Sequence, residues 1–174
     1  MEKLYNISIF TENSVGMLNR VTIIFTRRHI NIESITASES EIDGVHRYTI
    51  SAKMTEDQVK KVVGQIEKLV EVLKAFYHTD EEVVYQEIAL YKLPVDVLMN
   101  NIDAENIVRK YHARILSIEP KFAIIEKTGH AEELKRLFDE LQPFGILEYV
   151  KSGRIAITKP MKTLESYLEE MANN

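Results

Sequence analysis

Residues able to do chemistry are thinly spread along this chain, and the one suggestive cluster suits binding rather than bond making. His29, His46, His78, His112 and His130 stand at isolated positions, without His-x-x-x-His or Glu-x-x-His spacing, so no metal site is expected. The absence of cysteine excludes disulfides, thiolate metal sites and cysteine nucleophiles. There is no Gly-x-Ser-x-Gly element and no phosphate-binding loop; Gly129 and Gly153 stand alone. Glu81-Glu82 and Glu132-Glu133 are adjacent carboxylates, an arrangement far more often solvated surface than an acid/base pair. No catalytic residue is expected.

The cluster that stands out is Asn13, Ser14 and Gly16, with Asn31 further on. Asn13 and Ser14 precede a helical pattern, and the free backbone N–H groups of a helix start suit a carboxylate. Gly16 has no Cβ, so a small ligand can approach its backbone. Asn13 and Asn31 carry donors and acceptors and could hold both ends of a zwitterion without a fixed charge. Ile30 and Ile32 suit a branched aliphatic side chain. Plainer uses exist for the same residues: Asn13 as a helix cap, Asn31 as a turn into a strand. Spacing alone leaves both open.

The elements around this cluster fall into two halves. Tyr5, Ile7 and Ile9 alternate with polar residues as in a half-buried strand. Met17, Leu18, Val21, Ile24 and Phe25 form a helical stripe, ending near Arg27-Arg28-His29, where cations complement the helix dipole. Ile30 to Ala37 reads as a second strand, Asp43-Gly44 as a hairpin turn, and Tyr48, Ile50 and Ala52 as a third strand. Thr55 and Gln58 make a capping box ahead of Val59, Val62, Val63, Ile66, Leu69 and Val70. A fourth strand runs from Leu73 to Tyr77, giving the ferredoxin-like order βαββαβ.

The polar, acidic stretch from His78 to Glu82 marks a boundary, after which the order repeats less clearly. Ile88 to Lys92 is a strand, Asp103 can cap a helix bearing Ile107, Val108 and Tyr111, and Ile115–Ile118 and Phe122–Ile125 pair across Glu119-Pro120-Lys121. Leu134, Leu137, Phe138 and Leu141 line a second helix, stopped by Pro143-Phe144-Gly145 before a strand from Ile146 to Val150. The expected class is α+β, with two ferredoxin-like βαββαβ domains at 1–78 and 83–160. Leu164, Tyr167, Leu168 and Met171 form the stripe of a helical tail at 161–174. Halves of about 80 residues have marginal cores, and one sheet face is left over. Pairing between chains is expected to cover it.

Composition narrows the class. Hydrophobic residues make up 45% and charged residues 28%, as in a soluble globular protein. The net charge of −5, without a clustered basic patch, argues against nucleic acid. No apolar run approaches the ~20 residues of a membrane span, and Met1-Glu2-Lys3-Leu4 enters a strand pattern without a secretory signal. A cytoplasmic protein is expected.

The stretch Thr11-Glu12-Asn13-Ser14-Val15-Gly16-Met17-Leu18-Asn19-Arg20-Val21, with Arg28-His29-Ile30-Asn31-Ile32-Glu33-Ser34-Ile35, resembles the first β–α loop and second strand of ACT domains. The fuller pattern, Glu-Asn-x-x-Gly-x-Leu-x-Arg-Val and then Asn-Ile-Glu-Ser, resembles the small regulatory subunit of acetolactate (acetohydroxyacid) synthase. Leu69-Val70-Glu71-Val72-Leu73 and Glu87-Ile88 resemble that family too, and the resemblance spans residues 1 to 160. Val15 stands where relatives often have proline.

The resemblance implies a homodimer in which an effector lies between two ACT domains. The Gly16 loop of one protomer, Asn13, Val15, Gly16, Met17 and Leu18, would face Ile30, Asn31 and Ile32 of the other. It implies a branched-chain amino acid effector, usually valine, and a catalytic large subunit as partner. Thiamine diphosphate, FAD and Mg²⁺ would sit on that large subunit, with no cofactor on this chain. Two alternatives are a free-standing ACT-type sensor of another enzyme or a transcription factor, and an acylphosphatase-type hydrolase. The hydrolase would need an arginine in the first β–α turn, where this chain has Glu12.

Overall fold

Tyr5, Ile7 and Ile9 project from one face of the first strand, and all three are buried. They organise the first half of the computed structural model, which describes residues 1–159 together with 166 and 169. Its elements are β1 (Lys3–Glu12), α1 (Met17–Thr26), β2 (Ile32–Glu39), β3 (Val45–Met54), α2 (Glu56–Ile66) and β4 (Val72–Thr79). The antiparallel sheet runs β2-β3-β1-β4, with Ile7 opposite Ile50 on β3 and Tyr77 on β4. Met17, Val21, Ile24 and Phe25 of α1 and Val59, Val62, Val63 and Ile66 of α2 pack on that face as one core. Each large side chain so buried contributes roughly 1.5–3 kcal/mol. Thr55 caps α2 as expected: its side chain accepts from the Gln58 N–H, and the Gln58 side chain reaches back to the Thr55 N–H.

The second half repeats the plan. Its elements are β5 (Val83–Pro94), α3 (Val95–Asn100), α4 (Ile102–Lys110), β6 (Arg114–Ile118), β7 (Phe122–Gly129), α5 (Ala131–Leu141) and β8 (Glu148–Lys151), and β9 (Ile155–Thr158) follows. The sheet runs β6-β7-β5-β8, the first sheet's order over again, with β9 pairing with β5. A separate core gathers Ala89, Tyr91, Leu93, Val108, Ile125, Leu134, Leu137 and Leu141. The Tyr91 hydroxyl, inside it, donates to the Leu134 carbonyl at 2.7 Å. Helices α1 and α4 also end alike. His29 and His112 take positive φ, and the N–H of the following residue donates to a carbonyl five residues back, Ile30 to Phe25 and Ala113 to Val108.

The structure departs from the sequence reading at several points. Leu18 belongs to the periodic stripe yet is 44% exposed. Helix α2 stops at Ile66, leaving Val70 almost fully exposed in the following loop. Asn101, rather than Asp103, caps α4; its side chain accepts from the Asp103 and Ala104 N–H groups. A short helix, α3, precedes it, and periodicity gave no sign of so brief an element. The tail stripe of Leu164, Tyr167, Leu168 and Met171 lies outside the described residues.

Among the described residues, the chain divides into a unit of Met1–Tyr85 with the segment that starts at Arg154, and a second unit of Gln86–Gly153. The sequence reading carried the second domain through to residue 160. The sheet face expected to be open is also occupied: Asn6, Ser8, Thr49 and Ser51 are buried, and the chain from Arg154 hydrogen-bonds over this polar face. An exposed face is therefore no longer a reason for pairing through the first sheet, whereas the outer face of the second still presents Ile88 and Val150, 42% and 55% exposed.

Candidate functional site

The cluster around Gly16 is built by the end of β1. Past Glu12, the Asn13 N–H donates to the Gly44 carbonyl at 3.2 Å and the Ser14 N–H to the Glu12 carbonyl at 2.9 Å. These bonds turn the chain so that Gly16 becomes the N-cap of α1, at φ 83° and ψ 0°. That left-handed conformation costs an ordinary residue roughly 1–2 kcal/mol and glycine almost nothing. No side chain caps this helix, and its first turn holds no acidic residue. Asn13 is therefore not the helix cap. Intrahelical bonding begins with the Arg20 N–H donating to the Gly16 carbonyl at 3.1 Å. The N–H groups of Leu18 and Asn19 have no partner within the helix, the usual condition of a first turn. A negatively charged group placed there gains both hydrogen bonds and the helix dipole.

The candidate residues divide by exposure. Asn13, Val15, Gly16, Leu18 and Asn31 face solvent. Met17 and Ile30 are 1% and 8% exposed and belong to the first core, so their side chains are committed to packing. Ile32 is partly buried against the same core. A Cβ built on Gly16 meets nothing within 4 Å, so the space in front of this backbone is open.

Gly16 and Asn31 sit beyond opposite ends of α1. That helix has ten residues, a length of about 15 Å at 1.5 Å per residue. One amino acid cannot span that distance, so the two groups cannot meet on one ligand within a single chain. Arg20 and Glu71 were not among the candidates, yet they brace the loop. Their side chains form an ion pair, and the Glu12 N–H donates to the Glu71 carbonyl at 2.9 Å. The Arg20 guanidinium holds the Glu71 carboxyl below the usual carboxylate range. Their separation of 51 residues left no local signal in the sequence.

Residues 86–160 match the family described as the small subunit of acetolactate synthase, and residues 7–74 match the AHAS small subunit-like ACT domain. The acetolactate synthase small subunit of Bacillus subtilis (strain 168) is 31% identical over 154 residues, covering 88% of this chain and 89% of that protein. This chain belongs to the acetolactate synthase small-subunit family. A probable member from Archaeoglobus fulgidus is 32% identical, over 91% of this chain and 98% of its own length. The crystal structure of the small subunit from Thermotoga maritima superposes with a TM-score of 0.82 at 28% identity, covering 92% of this chain and 99% of that one. The family match places the Gly16 loop in an ACT domain and assigns the second unit to the family's own C-terminal domain. Among the described residues, no group of three or more His, Cys, Asp or Glu is arranged to hold a metal, and no helix is long and apolar enough to cross a membrane.

Proposed function

We propose that this chain is a cytoplasmic regulatory subunit of acetolactate synthase. It activates the catalytic large subunit and confers feedback inhibition by a branched-chain amino acid, valine foremost. The observation that carries the reading is the uncapped, exposed helix start at Gly16, set in the ACT domain of a small-subunit family member. The effector carboxylate accepts hydrogen bonds from the first-turn N–H groups of α1. Asn13 and Asn31 supply neutral polar partners, and the aliphatic side chain lies against Leu18 and the accessible part of Ile32. Because Gly16 and Asn31 lie beyond opposite ends of α1, an effector touching both requires two chains, and the reading therefore includes a homodimer. Thiamine diphosphate, FAD and Mg²⁺ belong to the large subunit, where the carbon–carbon bond forms. A free-standing sensor is disfavoured because residues 86–160 also match the small-subunit family.

Inhibition requires that the effector bind the two states of the holoenzyme unequally, and typical couplings are about 1–3 kcal/mol, or about 5- to 150-fold. Reconstitution tests this. Alone, the protein should make no acetolactate from pyruvate. Added to its cognate large subunit it should raise turnover severalfold, and valine should reverse the gain. Turnover unchanged by the added chain would refute the proposal.

A further inference from the structure

The second unit is inserted between Tyr85 and Arg154 of the first, so the chain crosses between units twice. The outgoing and returning segments run side by side. Within the inserted unit, the Ser152 N–H donates to the Ile88 carbonyl at 2.8 Å, and the Ile88 N–H donates to the Ser152 hydroxyl at 3.0 Å. Ala89 lies opposite Lys151, and Lys151 forms an ion pair with the buried Glu87 carboxylate.

Within the first unit, Arg154 takes over. It is only 5% exposed, an unusual burial for an arginine. Its guanidinium lies 3.6 Å from the Tyr85 ring centroid, on the last residue before the outward crossing. Nη1 donates to Asp80 Oδ1 at 2.7 Å and to Asn6 Oδ1 at 3.1 Å, while Asn6 Nδ2 donates to the same Asp80 oxygen at 2.7 Å. Its backbone is fixed as well: the Arg154 N–H donates to the Ser34 hydroxyl at 3.4 Å, and the Thr36 hydroxyl donates to the Arg154 carbonyl at 3.1 Å. One residue thus ties the return crossing to β1, to β2, to the turn after β4 and to the outward crossing.

We propose that Arg154 is a positioning residue that clamps both crossings to the sheet of the ACT domain, so that a signal from the effector loop enters the inserted unit through a paired connection. The signalling part rests on the proposed function; the clamp itself does not. A planar, always-charged group that stacks and donates at once is what the site uses, and lysine cannot supply it.

Hydrogen–deuterium exchange on the full chain tests the clamp. In Arg154→Met, amides of residues 83–88 and 152–158 should exchange about tenfold faster, while those of β3 and β7 keep their wild-type rates. Asp80→Asn should act in the same direction more weakly, and it decides the matter if Arg154→Met fails to fold. Unchanged exchange at both crossings in the folded variants would overturn the clamp. In the reconstituted holoenzyme, Arg154→Met should bind valine as wild type does but lose most of the inhibition, with Arg154→Lys restoring only part. Wild-type inhibition in a variant with loosened crossings would overturn the signalling role. If the wild-type chain binds no branched-chain amino acid, the proposed function fails and the exchange result alone judges the clamp.

Discussion

Gly16→Asp should abolish effector binding and feedback inhibition while leaving activation of the large subunit in place. The new carboxylate would stand at the helix start proposed to receive the effector carboxylate. Two such charges about 4 Å apart at an effective dielectric near 20 repel by roughly 4 kcal/mol. Since about 1.4 kcal/mol is a tenfold change in affinity, half of that repulsion would weaken binding by more than tenfold. Nothing within 4 Å obstructs a Cβ at this position, so the fold should survive. The cost is the left-handed backbone at φ 83°, which aspartate tolerates better than most residues. Asn31→Ala should weaken binding more gently, by about 1–3 kcal/mol, through hydrogen bonds lost in a desolvated site. Calorimetric titration of both variants, checked by circular dichroism, measures these effects. Wild-type valine affinity in folded Gly16→Asp protein would remove the Gly16 loop from the site.

Phe25→Ala should strongly destabilise the first unit and spare the second. Phe25 is 1% exposed at the centre of a core shared by α1, α2, β1 and β3. Phenylalanine-to-alanine changes in such places cost about 3–5 kcal/mol, a large share of the 5–15 kcal/mol typical of a whole domain. Tyr91, Ile125 and Leu134 belong to a different core and lose no neighbour by this change. A thermal melt followed by hydrogen exchange should show β1 and β3 losing protection at least 10 °C below wild type, an amount set by roughly 4–8 °C per kcal/mol for a domain of this size. The strands β5 and β7 should melt where they did before. A single transition shifted as one would show that the two cores stand or fall together.

Much of this fold was legible because its signals are local. Alternation at Tyr5, Ile7 and Ile9 specifies β1 and the face that carries the first core, but not that the opposite face, with Asn6 and Ser8, is buried too. Thr55 with Gln58 fixes the start of α2 through bonds three residues apart. Competition among local signals accounts for the error at α4. Asn100, Asn101 and Asp103 are all capping residues within four positions, and only the preceding short helix selects Asn101. Long-range contacts left no trace in the sequence. Arg154 follows a lone glycine and resembles surface, yet it closes on Asn6, 148 residues away. The candidate site divides in the same way. The uncapped start at Gly16 follows from neighbouring residues, whereas the bracing of Arg20 by Glu71 does not. Met17 and Ile30 have apolar side chains equally suited to a ligand or to a core, and the tertiary packing assigns both to the core.

The central claim is that this chain senses a branched-chain amino acid, and direct titration of the purified full-length protein tests it without the large subunit. Valine, leucine and isoleucine would each be titrated calorimetrically, with glycine and glutamate as controls. The account expects a saturable heat for at least one of the three and none for the controls, lost in Gly16→Asp. Absence of saturable heat for all three at millimolar concentration would contradict it.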